Sequence, residues 1–189
     1  ISLMDREVRE GVWKKRMGNL VQGARVGVVG FGRIGRAVAA LFAAIDCETA
    51  FFDPMLPPEI AGDAVSLSRR MDLPALLAWA DIVTLHAPKP KDGSLILDAA
   101  AIARMKPVAR LINAARGGII DEDAMAEALR SGALAGAALD VFGKEPYQGP
   151  LQSIPTAVLT PHVGSYAKES RILMEVETVR NLLRGLGLK

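Results

Sequence analysis

Apolar residues in this chain come in short runs separated by amphipathic stretches, and the two kinds of segment alternate along almost the whole length. The runs at about residues 25–30, 48–52, 81–85, 109–113, 136–140 and 157–160 are apolar on both faces, which predicts buried strands. Helical spacing falls between them. Ile34, Val38, Leu41, Phe42 and Ile45 predict a helix over about 33–45, and Asp72 with Pro74 predicts an N-capped helix over 73–80. Further helices are predicted over about 98–104, from Asp121, Glu122 and Asp123 onward, and from about 166 to 183. Residues 3–16 read as a mostly polar helix with a break near Gly11. Trp13 there, among Lys14, Lys15 and Arg16, either covers a core edge or meets a partner subunit. Pro54, Pro57 and Pro58 force an irregular connection after the second strand, leading to a short helix and a brief strand near Val65. Strands alternating with helices in this way predict an α/β fold, a Rossmann-type doubly wound parallel sheet with helices on both faces.

Composition narrows the function without choosing it. A chain of 189 residues suits one domain, and a hydrophobic half supplies a sizeable core. The 23 basic and 21 acidic residues leave a net charge of only +2, with neither sign in a long block. Neither nucleic acid nor an anionic membrane is therefore indicated as a partner. No apolar run reaches the roughly 18 residues of a membrane span. Cys47 has no second cysteine to pair with, sits in an apolar segment as a small core residue, and fits a reducing cytoplasm. The chain opens on Ile1 and runs directly into a charged helical segment, so the expectation is a piece of a longer protein.

The chain's organising stretch is Val26-Gly27-Val28-Val29-Gly30-Phe31-Gly32-Arg33-Ile34-Gly35-Arg36, an apolar run that breaks into three spaced glycines before an amphipathic run. Such a strand, tight turn and helix start bring backbone N–H groups and the positive end of a helix dipole against phosphate. Asp53 stands eighteen positions after Gly35 at the end of a second apolar run, where an acid accepts hydrogen bonds from an adenosine ribose. The pair predicts a dinucleotide site.

Ligands of parallel sheets bind beyond the carboxyl ends of the strands. The segments at those ends are Gly30 to Gly35, Asp53, His86-Ala87-Pro88, Ala114-Ala115-Arg116, Asp140 to Glu145, and Pro161-His162. Arg116 could hold a carboxylate with two parallel hydrogen bonds, or pair locally with Glu122. Glu145 and His162 are seventeen residues apart, each in a loop after a strand. A carboxylate beside an imidazole fixes its tautomer and favours its charged form, as a proton donor to a carbonyl requires. With two histidines and no H-x-x-x-H or C-x-x-C spacing, no metal centre is expected.

These residues resemble the nucleotide-binding domain of the D-2-hydroxyacid dehydrogenases over nearly the whole chain. The resemblance rests on Val29 to Gly35, Asp53-Pro54, Leu85 to Pro88, Met105-Lys106-Pro107, Leu111 to Asp121, Ala138 to Phe142 with Glu145-Pro146, and Thr160 to Ser165. It implies NAD as cofactor, held by Gly30, Gly32, Arg33, Ile34, Gly35, Asp53, Pro54, His86, Ala87, Pro88, Ala114, Ala115, Asp140 and Gly164. Within that set, Asp53 resembles the ribose ligand that disfavours a 2′-phosphate, and Asp140 the ligand of the nicotinamide carboxamide. Arg116 resembles the family's substrate-carboxylate arginine, His162 its acid/base and Glu145 the carboxylate that orients the histidine. The implied substrate is a small 2-hydroxy or 2-keto acid, and the implied assembly a homodimer.

The resemblance also divides the chain. Residues 1–20 correspond to a connecting helix from a substrate domain outside this sequence, 21–165 to the NAD-binding domain, and 166–189 to a helix returning toward that substrate domain. One departure is Gly93, where the family often carries a threonine. The same fold also serves NAD-sensing corepressors, which gives an alternative of a regulatory module without physiological turnover. Formate dehydrogenases are disfavoured, since that branch resembles a glutamine where Glu145 stands.

Overall fold

The computed structural model describes residues 2–57 and 68–188. Strand β1 (Arg25–Val29) is the axis from which the chain winds outward. Helix α2 (Arg33–Ala43) and β2 (Glu48–Phe52) follow it, then β3 (Ser68–Arg70) on the outer edge. Helix α3 (Leu73–Trp79) crosses back to β4 (Ile82–Leu85) on the opposite side of β1. From there α4 (Ala99–Ile102), β5 (Arg110–Asn113), α5 (Glu122–Ser131), β6 (Gly136–Leu139), a 3₁₀ turn (Pro150–Ser153) and β7 (Ala157–Leu159) continue in that direction. The sheet order is β3-β2-β1-β4-β5-β6-β7, and every pairing is parallel. Two helices flank the sheet in sequence: α1 (Ser2–Arg9) before it and α6 (Lys168–Gly185) after it.

Alternation along β1 builds a core on each face. Val26 and Val28 join Phe31, Ala39, Cys47 and Phe51 under α2, while Val29 joins the larger cluster around Leu76, Leu77, Val83, Leu85, Leu111 and Met125 under α3, α4 and α5. The helices of the larger face start where their sequence dictates. Asp72, Asp98 and Asp121 each accept a backbone N–H from the residue three positions on, at 2.7, 2.8 and 2.9 Å.

Two readings are refined, and a third falls outside the described residues. Helix α2 turns Gly35 and Ala39 to the sheet with Phe42 half-buried, whereas Ile34, Leu41 and Ile45 are 68, 70 and 49 % exposed. The row of small residues lets the helix axis approach the sheet, and this leaves the bulky row outside. The first helix breaks near Gly11 as expected, where Gly11 takes a left-handed φ of 81° and its N–H returns to Val8 O, but it ends at Arg9 and does not resume toward residue 16. Trp13, 85 % exposed, therefore covers no core edge within this chain. The short helix and the brief strand expected near Val65 fall on residues 58–67, outside the described residues, and β3 begins just beyond them.

Leu76 is fully buried between α3 and the sheet. Leu76→Ala is expected to cost about 2–5 kcal/mol, the usual range for truncating a fully buried leucine. The fall in the urea midpoint at constant slope measures it.

Candidate active site

Chain direction reverses between β1 and β4, and there the two following loops touch. Gly30 has φ +90°, and a Cβ on it would lie 2.6 Å from Ala87 N, so only glycine fits. A Cβ on Gly35 would fall 2.1 Å from Gly30 O, so helix and turn meet backbone to backbone. Gly32 caps α2 in an extended conformation without a side-chain hydrogen bond, and a Cβ there would meet open space. The uncapped first-turn N–H groups facing that space fit a pyrophosphate. The exposed Arg33 and Ile34 open the helix beside it.

Asp53 follows β2 next to this turn. Its Oδ2 accepts Phe31 N–H at 2.7 Å and its Oδ1 accepts Met55 N–H at 2.8 Å. Each oxygen keeps a second lone pair with which to accept a ribose hydroxyl. Arg70 holds the same corner, donating at 3.0 Å to the carbonyls of Asp53 and Leu56 on either side of Pro54. On the other wall, His86 Nε2 lies 3.0 Å from Thr84 Oγ1. Burial pushes the His86 imidazole below the usual histidine range, so it is neutral near pH 7. Ala87 and Pro88 continue that wall.

Arg116 leaves the end of β5 in a turn built by the buried Asn113. The Asn113 side chain accepts Ala115 N–H at 3.1 Å and donates to Arg116 O at 2.9 Å, which fixes the course of Ala114 and Ala115 as well. The Arg116 guanidinium is exposed, bonds only the carbonyl of Ala115, and has no carboxylate in ion-pair reach among the described residues. The local pairing with Glu122 is not formed: Glu122 Oε1 instead accepts Gly143 N–H at 2.7 Å.

Glu145 and His162 do meet. His162 Nδ1 and Glu145 Oε2 are 3.0 Å apart, and Glu145 Oε1 accepts Phe142 N–H at 3.1 Å. The hydrogen bond to His162, joined by that from Phe142, holds the Glu145 carboxyl below its usual range. An ionised carboxylate only accepts, so Nδ1 carries hydrogen and Nε2 faces outward. His162 itself sits in the left-handed region at φ +56°. Asp140 stabilises that turn by accepting Thr160 Oγ1–H at 2.6 Å and the N–H groups of Val163 and Gly164 at 2.8 Å each. Burial opposes ionisation of Asp140, but these hydrogen bonds and the nearby imidazole outweigh it, and its carboxyl stays low. A cavity of about 620 Å³ opens beside the pair, walled by Phe142, Pro146, Tyr147, Leu159 and Pro161.

The structure brings the predicted residues to one edge and adds four more: Asn113, Glu122, Thr160 and Arg70. Asn113 and Thr160 end strands, a signal the sequence carries. The partners of Glu122 and Arg70 lie 21 residues and 14 to 17 residues away, where no local pattern points.

Both low carboxyls titrate below their unfolded values, so their stabilisation is present above about pH 4 and is lost as pH falls through the folded values. Asp140→Asn is therefore expected to flatten the acid side of the stability profile. Urea midpoints from neutral pH down to about pH 3 measure this, and an unchanged acid limb contradicts it.

Comparison with known proteins places this geometry. The model for the D-isomer specific 2-hydroxyacid dehydrogenase NAD-binding domain matches residues 1–164. A D-3-phosphoglycerate dehydrogenase of Synechocystis is 37 % identical over 96 % of this chain and 34 % of its own length. An (S)-sulfolactate dehydrogenase of Chromohalobacter salexigens is 39 % identical over 96 % of the chain and 60 % of its own. The chain thus spans about a third of the phosphoglycerate dehydrogenases it matches. Among solved structures, a glyoxylate reductase from Paecilomyes thermophila superposes with a TM-score of 0.85 at 32 % identity, over 94 % of this chain and 54 % of that one. An NAD-complexed D-isomer specific 2-hydroxyacid dehydrogenase from Lactobacillus delbrueckii covers the whole chain and 62 % of its own, with a TM-score of 0.82 and 28 % identity. A Rossmann-type parallel sheet, a glycine turn shaped for NAD and a match over most of the length establish that this chain belongs to the D-isomer specific 2-hydroxyacid dehydrogenases, within their NAD-binding domain.

Proposed function

We propose that this chain is the NAD-binding, acid/base-bearing part of an enzyme that moves a hydride between NAD(H) and a D-2-hydroxy or 2-keto acid. One observation carries the reading. Arg116, with no carboxylate in ion-pair reach among the described residues, and a bonded Glu145–His162 pair stand on the same sheet edge as the glycine cradle.

The first-turn N–H groups after Gly32 hold the pyrophosphate, and Asp53 holds the adenosine ribose and repels a 2′-phosphate. Asp140 and Gly164 border the nicotinamide end, where Asp140 Oδ2 has one lone pair left for a carboxamide beside the three hydrogen bonds the carboxylate accepts. Bound there, the nicotinamide supplies or takes the hydride. Arg116 grips the substrate carboxylate through its planar fork and fixes the keto carbon at the cleft. His162, held at Nδ1 by Glu145, donates an Nε2 proton to the carbonyl oxygen as negative charge grows on it, and takes the proton back in the oxidative direction. Half-exposed as it stands, with side-chain exposure of 53 %, His162 needs water excluded by a domain closing over the cleft. That domain lies in the length by which the relatives exceed this chain, with residues 1–20 and the helix from 166 leading toward it. The protein works in the cytoplasm, in keeping with its single unpaired cysteine.

Two outcomes test this. The chain alone is expected to bind NADH with negligible turnover, while the longer natural protein oxidises NADH with one or more of glyoxylate, hydroxypyruvate, pyruvate and 3-phosphohydroxypyruvate. In that longer protein His162→Asn is expected to lower kcat by about 10²–10⁴-fold while NADH binding persists. Arg116→Ala is expected to raise KM for every keto acid accepted. A protein inert toward the whole panel contradicts the enzymatic reading.

Exposed bulky residues on α2 and just after it, Leu41 and Ile45, and in the segment before β1, Trp13, Met17 and Leu20, offer apolar surface to a second copy. Sedimentation velocity is expected to show a dimer that Leu41→Glu converts to monomer.

A further inference from the structure

The loop that carries Glu145 is gripped at a second point. Residues 142 and 143 lie directly on the turn that carries Arg116: a Cβ on Gly117 would fall 1.7 Å from Phe142 O, and one on Gly118 would lie 3.8 Å from Gly143 Cα. Backbone touches backbone, and a side chain at 117 has no room. Across that seam Glu122 reaches from the first position of α5 and accepts Gly143 N–H at 2.7 Å. Its helix is a firm base, capped by Asp121 and sunk into the core through Met125, Ala126 and Leu129. One residue back from Gly143, the N–H of Phe142 bonds Glu145 Oε1, whose other oxygen meets His162 Nδ1.

We propose that Glu122 is a positioning residue that acts through Gly143 to set the loop holding Glu145. It thereby fixes the imidazole of His162 relative to the Arg116 turn. The inference rests on the assignment of Glu145 and His162 as the acid/base pair. An acid in the first turn of a helix also favours the helix dipole, but that effect needs only charge near the terminus and no directed hydrogen bond. Shortening the side chain separates the two roles. Glu122→Asp keeps the charge at the helix start and draws the carboxylate away from Gly143, whereas Glu122→Gln loses the charge and keeps an oxygen able to accept the same N–H.

The chain has only two imidazoles, so ¹⁵N spectra of its histidine rings report His162 directly, with His86 as an internal reference. Glu145→Ala calibrates the shift produced when Nδ1 loses its acceptor. At a pH where the ring is neutral, the expected result is that Glu122→Ala and Glu122→Asp both move the His162 ring nitrogens from the Nδ1–H tautomer toward an average of the two, as Glu145→Ala does. Glu122→Gln is expected to retain the wild-type spectrum, and His86 and NADH binding are expected to stay unchanged in all. A shift in Glu145→Ala with none in Glu122→Ala and Glu122→Asp overturns the positioning role and leaves the pair intact. No shift in Glu145→Ala overturns the pair, and this proposal with it. Should Glu122→Ala fail to fold, Glu122→Asp with Glu122→Gln decides the matter.

Discussion

Parallel pairing of β1 with β4 is the constraint on which the rest depends. Because the seven strands of the described residues run one way, their carboxyl ends lie on a single edge, and the chain's winding in opposite directions from β1 and β4 opens a crevice at that edge. Gly30 against Ala87 sets how close the crevice walls come. The loops after β5, β6 and β7 then arrive in order beside the same crevice and bring Arg116, Asp140, Glu145 and His162 with them. No long-range folding of side chains is needed to assemble the site; the sheet sorts it.

The carboxylates around the crevice act as fasteners as much as ligands. Asp53 ties the glycine turn to the end of β2, Asp140 ties the His162 turn to the end of β6, and Glu122 ties α5 to the Glu145 loop. In each case a charged oxygen accepts a backbone N–H, the stronger kind of hydrogen bond, at a place where loops would otherwise be free to drift. The proposed hydride and proton transfer would need positioning to fractions of an ångström, and this edge fixes its loops by many short links.

Much of this was legible in the sequence because local signals sufficed. Strand periods, Asp caps and the glycine spacing each depend on near neighbours, and the helix starts at 73 and 122 followed from Asp72 and Asp121. The spacing of Ile34, Val38, Leu41, Phe42 and Ile45 placed α2 but not its buried face, because hydrophobicity ranks Ile34 and Leu41 above Gly35 and Ala39, whereas close packing prefers the small residues. The contact between Glu145 and His162 and the link from Glu122 to Gly143 span 17 and 21 residues. Their residue types were visible, but only the sheet order brings them together.

The left-handed backbone at His162 carries a conformational cost. A histidine at φ +56° stands where asparagine or glycine rests more easily, and the difference is of order 1 kcal/mol or more. Chemistry and conformational ease therefore pull in opposite directions at this position. Replacing His162 by a residue at ease in the left-handed region would shed that strain but would also remove the hydrogen bond to Glu145. Position 162 is thus where backbone ease and the tie to Glu145 trade against each other, and the loop after β7 keeps its shape only as long as the tie outweighs the strain.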